Sequence, residues 1–263
     1  MKRLFTIIDY RREGWQYQKS VMQKLSIMLA SAFAAVILPQ TSAHAEAPEQ
    51  LDQLEPDGGE WQAEYFGQYG STDGAERQHA IELFYGVSDS FALGVEIEAD
   101  AEDGELGFGE AGISALYKFN DPEEAPVGLG VMLSARFDGD FVISEAELRV
   151  IAEKKTAQWW VQANAMLRHA HEDGEDGELL AYGWNLSHAV TEQLWLGVEG
   201  SGQAARLSGF DLGFEKAHFA GPAVVLDLDM GEDRDVEIGF AWFRRLSDSG
   251  PRNTARIFVQ FDF

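Results

Sequence analysis

From Trp61 onward, apolar and polar side chains exchange places with a period of two, in short runs broken by turn-forming residues. Ile81, Leu83, Tyr85 and Val87 alternate with Ala80, Glu82, Phe84 and Gly86. After Ser88-Asp89, Phe91, Leu93, Val95 and Ile97 alternate with Ala92, Gly94, Glu96 and Glu98. The second half repeats the scheme, with Trp159, Val161, Ala163, Ala165 and Leu167 opposing Gln162, Asn164 and Arg168. Late in the chain Val236, Ile238, Phe240 and Trp242 oppose Glu237, Gly239 and Ala241. The last run puts Ile257, Val259, Phe261 and Phe263 on one face and ends on an aromatic residue. Followed in this way, the pattern predicts twelve strands.

The connections are of two kinds. The even-numbered ones are mostly tight, such as Ser88-Asp89 and Thr191-Glu192. Most odd-numbered ones are longer and acidic, such as Asp100 to Glu105, His171 to Glu178 and Ala205 to Lys216. An up-and-down order then puts both chain ends on the side of the short turns. Alternation alone fits a soluble sheet as well as a membrane one, because either has one apolar face. The aromatics separate the two. Trp61, Tyr85, Phe91, Tyr117, Phe119, Trp159, Phe261 and Phe263 all fall at the short-turn end on the apolar face, which is how an aromatic girdle marks a membrane interface. Trp195 lies at that end on the polar face, which predicts either a bulge or a lumen-filling side chain. The expected fold is all-β: a transmembrane antiparallel up-and-down β-barrel of about twelve strands, in the bacterial outer membrane.

The front of the chain points to the same compartment. Leu25 to Leu38 is an apolar run behind Lys24, followed by Pro39 and the small-residue end Ala43-His44-Ala45. It is too short for a spanning helix and reads as a signal peptide over residues 1–45, cut before Glu46. Met22 offers a later start, so residues 1–21 read as an upstream extension. Residues 46–59 are expected as a short periplasmic lead and 60–263 as the barrel. Such a lead is too short for a plug domain, which argues against a plugged, energy-coupled importer.

Composition narrows the chemistry. A formal net charge of −25 excludes nucleic acid as a partner, while 12% aromatic and 45% hydrophobic residues mark a chain that folds. With no cysteine there is neither a disulfide framework nor thiolate chemistry. If the apolar face meets lipid, the other face lines a charged, acid-rich lumen. Its candidate lining residues are Glu96, Glu98, Glu145, Glu147, Arg149 and Glu237. Inward glycines such as Gly86, Gly130 and Gly183 leave space beside them. That combination predicts a narrow, water-filled passage for a small hydrophilic solute, with a mild cation preference from the carboxylates. The alternative is a non-conducting structural barrel that binds through its acidic outer loops.

Enzymatic chemistry is not expected. Ser187 and His188 are sequence neighbours, so on a strand they point to opposite faces and cannot pair. His169 and His171 share a face and form a weak candidate metal pair, but two histidines beside an acidic loop more often stay solvated. No cofactor is expected. The expected partners are outer-membrane lipid, the barrel-assembly machinery acting through the C-terminal strand, and a small hydrophilic solute. The hairpin Tyr85-Gly86-Val87-Ser88-Asp89-Ser90-Phe91-Ala92-Leu93-Gly94, with the Phe263 terminus, resembles small bacterial outer-membrane proteins, including transporters grouped with phenol-degradation pathways. The resemblance implies a transporter-like barrel and carries over no ligand residues.

Overall fold

The computed structural model describes residues 47–55, 57–70, 77–102, 105–170, 177–206, 217–231 and 234–263. Among them, twelve strands form one closed antiparallel barrel in which each strand pairs with its sequence neighbours and the last pairs with the first. They are β1 (Trp61–Gly70), β2 (Arg77–Ser88), β3 (Phe91–Glu102), β4 (Glu105–Asn120), β5 (Gly128–Phe137) and β6 (Ile143–Lys155). The circuit continues through β7 (Trp159–Ala170), β8 (Gly177–Ala189), β9 (Leu194–Arg206), β10 (His218–Asp229), β11 (Asp235–Arg245) and β12 (Asn253–Asp262). The seam runs from Gln62 opposite Asp262 to Gly70 opposite Thr254. At its short-turn end, Trp61 N–H donates to the Phe263 carbonyl and Phe263 N–H donates back to that of Trp61, each at 2.9 Å. With the seam closed, no strand edge among the described residues is left unpaired.

Polarity is turned inside out, as the sequence predicted. Outward side chains are apolar and open: Ile97 is 60% exposed and Leu133 59%, with Ile81, Val95, Ile113 and Val161 in the same belt. Side chains of the other parity are polar and buried, among them Gln62, Glu147, Arg149, Asn164 and Glu237. An exterior this apolar belongs in lipid, and the closed sheet has the form of a membrane-spanning barrel. The girdle rings meet where expected. Trp61 packs on Tyr85 with centroids 4.7 Å apart, Tyr117 on Phe119 at 5.3 Å, and Phe261 on Phe263 at 5.2 Å. Phe91 pairs with Tyr117 across β3 and β4, and Trp159 packs edge-on against His188 at 4.6 Å. Trp195 points inward, buried against Trp160 and Val225, so the lumen-filling alternative is the one realised.

One connection differs from the sequence reading. The acidic stretch 100–105, expected as a loop, continues the pairing of β3 with β4 as far as Glu102 opposite Glu105, with a bulge between Ile97 and Ala99. Polar residues do not by themselves end a strand, because the pairing is made by backbone groups.

The larger difference lies ahead of β1. Residues 47–55, expected as a periplasmic lead, run inside the barrel. From Trp61 the chain turns back at Gly58-Gly59, where Gly59 has φ 93° and donates its N–H to the Gly86 carbonyl at 2.7 Å. Leu54 is then 1% exposed, inside a cluster with Phe84, Ala92, Leu116, Met132 and Ile151. The inward glycines leave space for this segment as well as for water. A Cβ on Gly130 would stand 2.5 Å from Leu54 Cδ2, one on Gly183 2.6 Å from Leu51 Cδ2, and one on Gly86 would collide with the Asp57 carbonyl.

Candidate functional site

An extended peptide inside a barrel has no sheet to satisfy its backbone, so the wall must supply the partners. Side chains do so here. Glu49 N–H donates to Ser201 Oγ at 3.0 Å, Asp52 N–H to Asn164 Oδ1 at 2.9 Å, and Leu54 N–H to Glu153 Oε2 at 3.0 Å. Asn164 Nδ2 also donates to the Asp52 carbonyl at 3.3 Å, so one amide holds both backbone groups of that residue. Arg149 donates to the Gln50 carbonyl at 3.1 Å and Arg256 to that of Glu49 at 3.0 Å.

The charges interlock around this segment. Strand register places Glu147 opposite Arg168, and Glu147 bridges Arg149 Nε at 2.7 Å and Arg168 Nε at 2.5 Å. The same two arginines pair with carboxylates of the threaded segment, Arg149 with Asp52 and Arg168 with Glu49. Arg136 faces Glu145 in register. It also reaches across Gly112, which has no side chain to block it, to Glu96 at 3.0 Å. Its contacts to Glu145 and Glu98 are longer, 3.6 and 3.8 Å. Arg256 pairs with Glu199 and lies over the rings of Phe243 and Phe66, at 4.8 and 5.8 Å from their centroids. Removing one partner from a buried pair of this kind leaves an uncompensated charge, so the network holds the segment in one arrangement.

Two cavities flank the threaded segment. The larger, about 170 Å³, is lined by Glu82, Glu96, Glu98 and Arg136 on one side and by Glu49, Gln50 and Asp52 on the other. The smaller, about 40 Å³, lies against Leu51, Gln53, Trp160, Val225 and Phe258. The lumen is therefore acidic toward β2 and β3 and aromatic toward β9 to β12.

Of the residues expected to line the lumen, Glu96, Glu98, Glu145, Glu147 and Arg149 come together around the larger cavity. Glu237 points inward but lies apart from it, bonded to Lys155 at 3.0 Å and to Gln53 at 3.2 Å. His169 stands on the outer part of β7, 4.0 Å from Glu178, and His171 lies outside the described residues. Among the described residues no cluster of His, Asp and Glu is arranged to hold a metal ion.

Sequence reasoning missed the contribution of Glu49, Asp52 and Leu54, and the aromatic side of the lumen at Trp160 and Phe243. A usable signal was present. Leu51 and Leu54 are the large apolar residues of a mostly polar, acidic stretch, and inward glycines stand opposite both.

No family model matches the chain, and no curated protein matches it. Among solved structures it is similar to an outer-membrane channel from Pseudomonas putida F1, at TM-score 0.54 and 12% identity over 81% of this chain and 98% of that one. It is likewise similar to the NanC porin, at TM-score 0.52 and 9% identity over 77% of this chain and 98% of that one. At such identities the likeness is one of fold: a small outer-membrane barrel spanning nearly the whole of each neighbour.

Proposed function

We propose that the barrel is a narrow passive channel for small hydrophilic solutes, with a mild preference for cations, and that the threaded segment sets its bore. The observation that carries this reading is the acid-lined cavity beside the segment, at the level of Glu82 and Glu96. Water and a small solute fit there, and the excess of carboxylates over arginines favours positive charge. In this reading residues 1–45 are removed as a signal peptide, and the assembly machinery recognises the C-terminal strand. The channel neighbours of the same fold agree with transport without naming a solute.

The threaded lumen gives the non-conducting alternative its own support, because Leu54 and the ion pairs of Glu49 and Asp52 stand within it. Planar-bilayer recording of the mature barrel, alongside a variant lacking residues 46–55, separates the two. The channel reading expects small steps from the mature barrel, larger ones from the deletion, and a reversal potential in a salt gradient that favours cations in both. Absence of current from both proteins overturns it.

A further inference from the structure

Seven carboxylates line the larger cavity, two from the threaded segment (Glu49, Asp52) and five from the wall (Glu82, Glu96, Glu98, Glu145, Glu147). Three guanidinium groups oppose them, those of Arg136, Arg149 and Arg168. All three arginines are already engaged, so the excess negative charge has no cation of its own. It concentrates where β1, β2 and β3 place Glu64, Glu82 and Glu96 side by side in register. Like charges directly opposite on neighbouring strands repel.

The outer two of these three have partners. Glu64 accepts from Gln50 Nε2 at 3.1 Å, and Glu96 from Arg136. Glu82 between them, 8% exposed and lining the cavity, has neither a hydrogen bond nor an ion pair among the described residues. Buried polar groups left in this state cost free energy that a bound donor would recover.

The occupant must bring positive charge and several donors, and it must be small. Carboxylates strung along a row surround no common point, and among the described residues none are grouped to ligate a metal. A primary ammonium group fits better, because its three N–H donors spread over neighbouring oxygens. The volume of about 170 Å³ takes five or six heavy atoms, at about 30 Å³ for each water-sized unit. We propose that this cavity is a binding site for a small solute bearing primary ammonium groups, with Glu82 as its unoccupied acceptor. The site rests on the channel reading only for the route by which the solute arrives.

Calorimetric titration of the barrel in detergent micelles tests it, with 1,4-diaminobutane as probe, 1,4-butanediol as its uncharged counterpart and calcium chloride as the metal. Saturable one-site binding of the diamine is expected, with none of the diol, and at least tenfold weaker in Glu82→Gln. Heat-modifiable migration reports that the variant is folded. If Glu82→Gln does not fold, the comparison of diamine with diol on the unaltered barrel carries the test. Equal behaviour of diamine and diol overturns the site, as do unchanged affinity in the folded variant or tighter one-site binding of calcium. Micelle binding needs no conduction: a barrel that binds diamine yet passes no current loses the channel and keeps the site, and one that conducts without binding does the reverse.

Discussion

Glu147 and Glu96 differ by their company. Glu147 is 5% exposed and holds two guanidinium groups, whereas Glu96 shares a single arginine with Glu98 and Glu145. Neutralising Glu147 strips two buried cations of their common counter-charge, a loss on the order of 3–5 kcal/mol. Glu147→Gln is therefore expected to lower the temperature at which the unboiled gel band converts to the unfolded position. Glu96→Gln should leave that temperature nearly unchanged and weaken the cation preference instead. Equal melting of the two variants would contradict the assignment. Both residues face inward by sequence parity, but which of them is structural was not legible, because strand register decides it: Glu147 falls opposite Arg168, and Glu96 opposite a glycine.

At the scale of elements, the strands were legible and the threaded segment was not. Alternation over Ile81 to Val87 or Val236 to Trp242 survives in the structure because each strand has lipid on one side and the lumen on the other, so every residue reports its face. Residues 47–55 belong to no strand, and their partners lie far along the chain, Glu49 beside Arg256 and Asp52 beside Asn164. No local pattern encodes such pairings. The segment should respond to pH through Glu55, which accepts from Gln260 Nε2 at 2.9 Å and from Gln62 Nε2 at 3.3 Å. Burial pushes its carboxyl up to about 8; Lys155 opposes this, and Glu237, Asp262 and Glu153 add to it. The seated form thus holds the proton more tightly than the released one, whose carboxyl titrates near the ordinary 4.5. Seating carries no penalty below that value, and the penalty grows as pH rises to about 8, where it levels off. Conductance is expected to increase between pH 5 and 9, with a smaller increase in Glu55→Gln. An equal pH response in the two proteins would remove Glu55 as the cause.

For the whole molecule, the inverted polarity was readable in the sequence, from the girdle, the loop asymmetry and the aromatic final residue together. An apolar belt that includes Ile97 and Leu133 requires an amphiphile. The purified barrel is expected to stay monodisperse in detergent and to precipitate when the detergent is dialysed away. A compact monomer in plain buffer would show that the belt is no membrane surface.

The reciprocal bonds between Trp61 and Phe263 limit the routes by which the threaded segment can reach its seat. Once they form, the cylinder has no lateral entrance, so residues 47–55 are either enclosed before the first and last strands meet or pushed in afterwards through an open end of the barrel. In both cases a bulky reporter fused ahead of Ala47 competes for the space that Leu54 and Asp52 fill, and a reporter for this protein belongs in an outer loop.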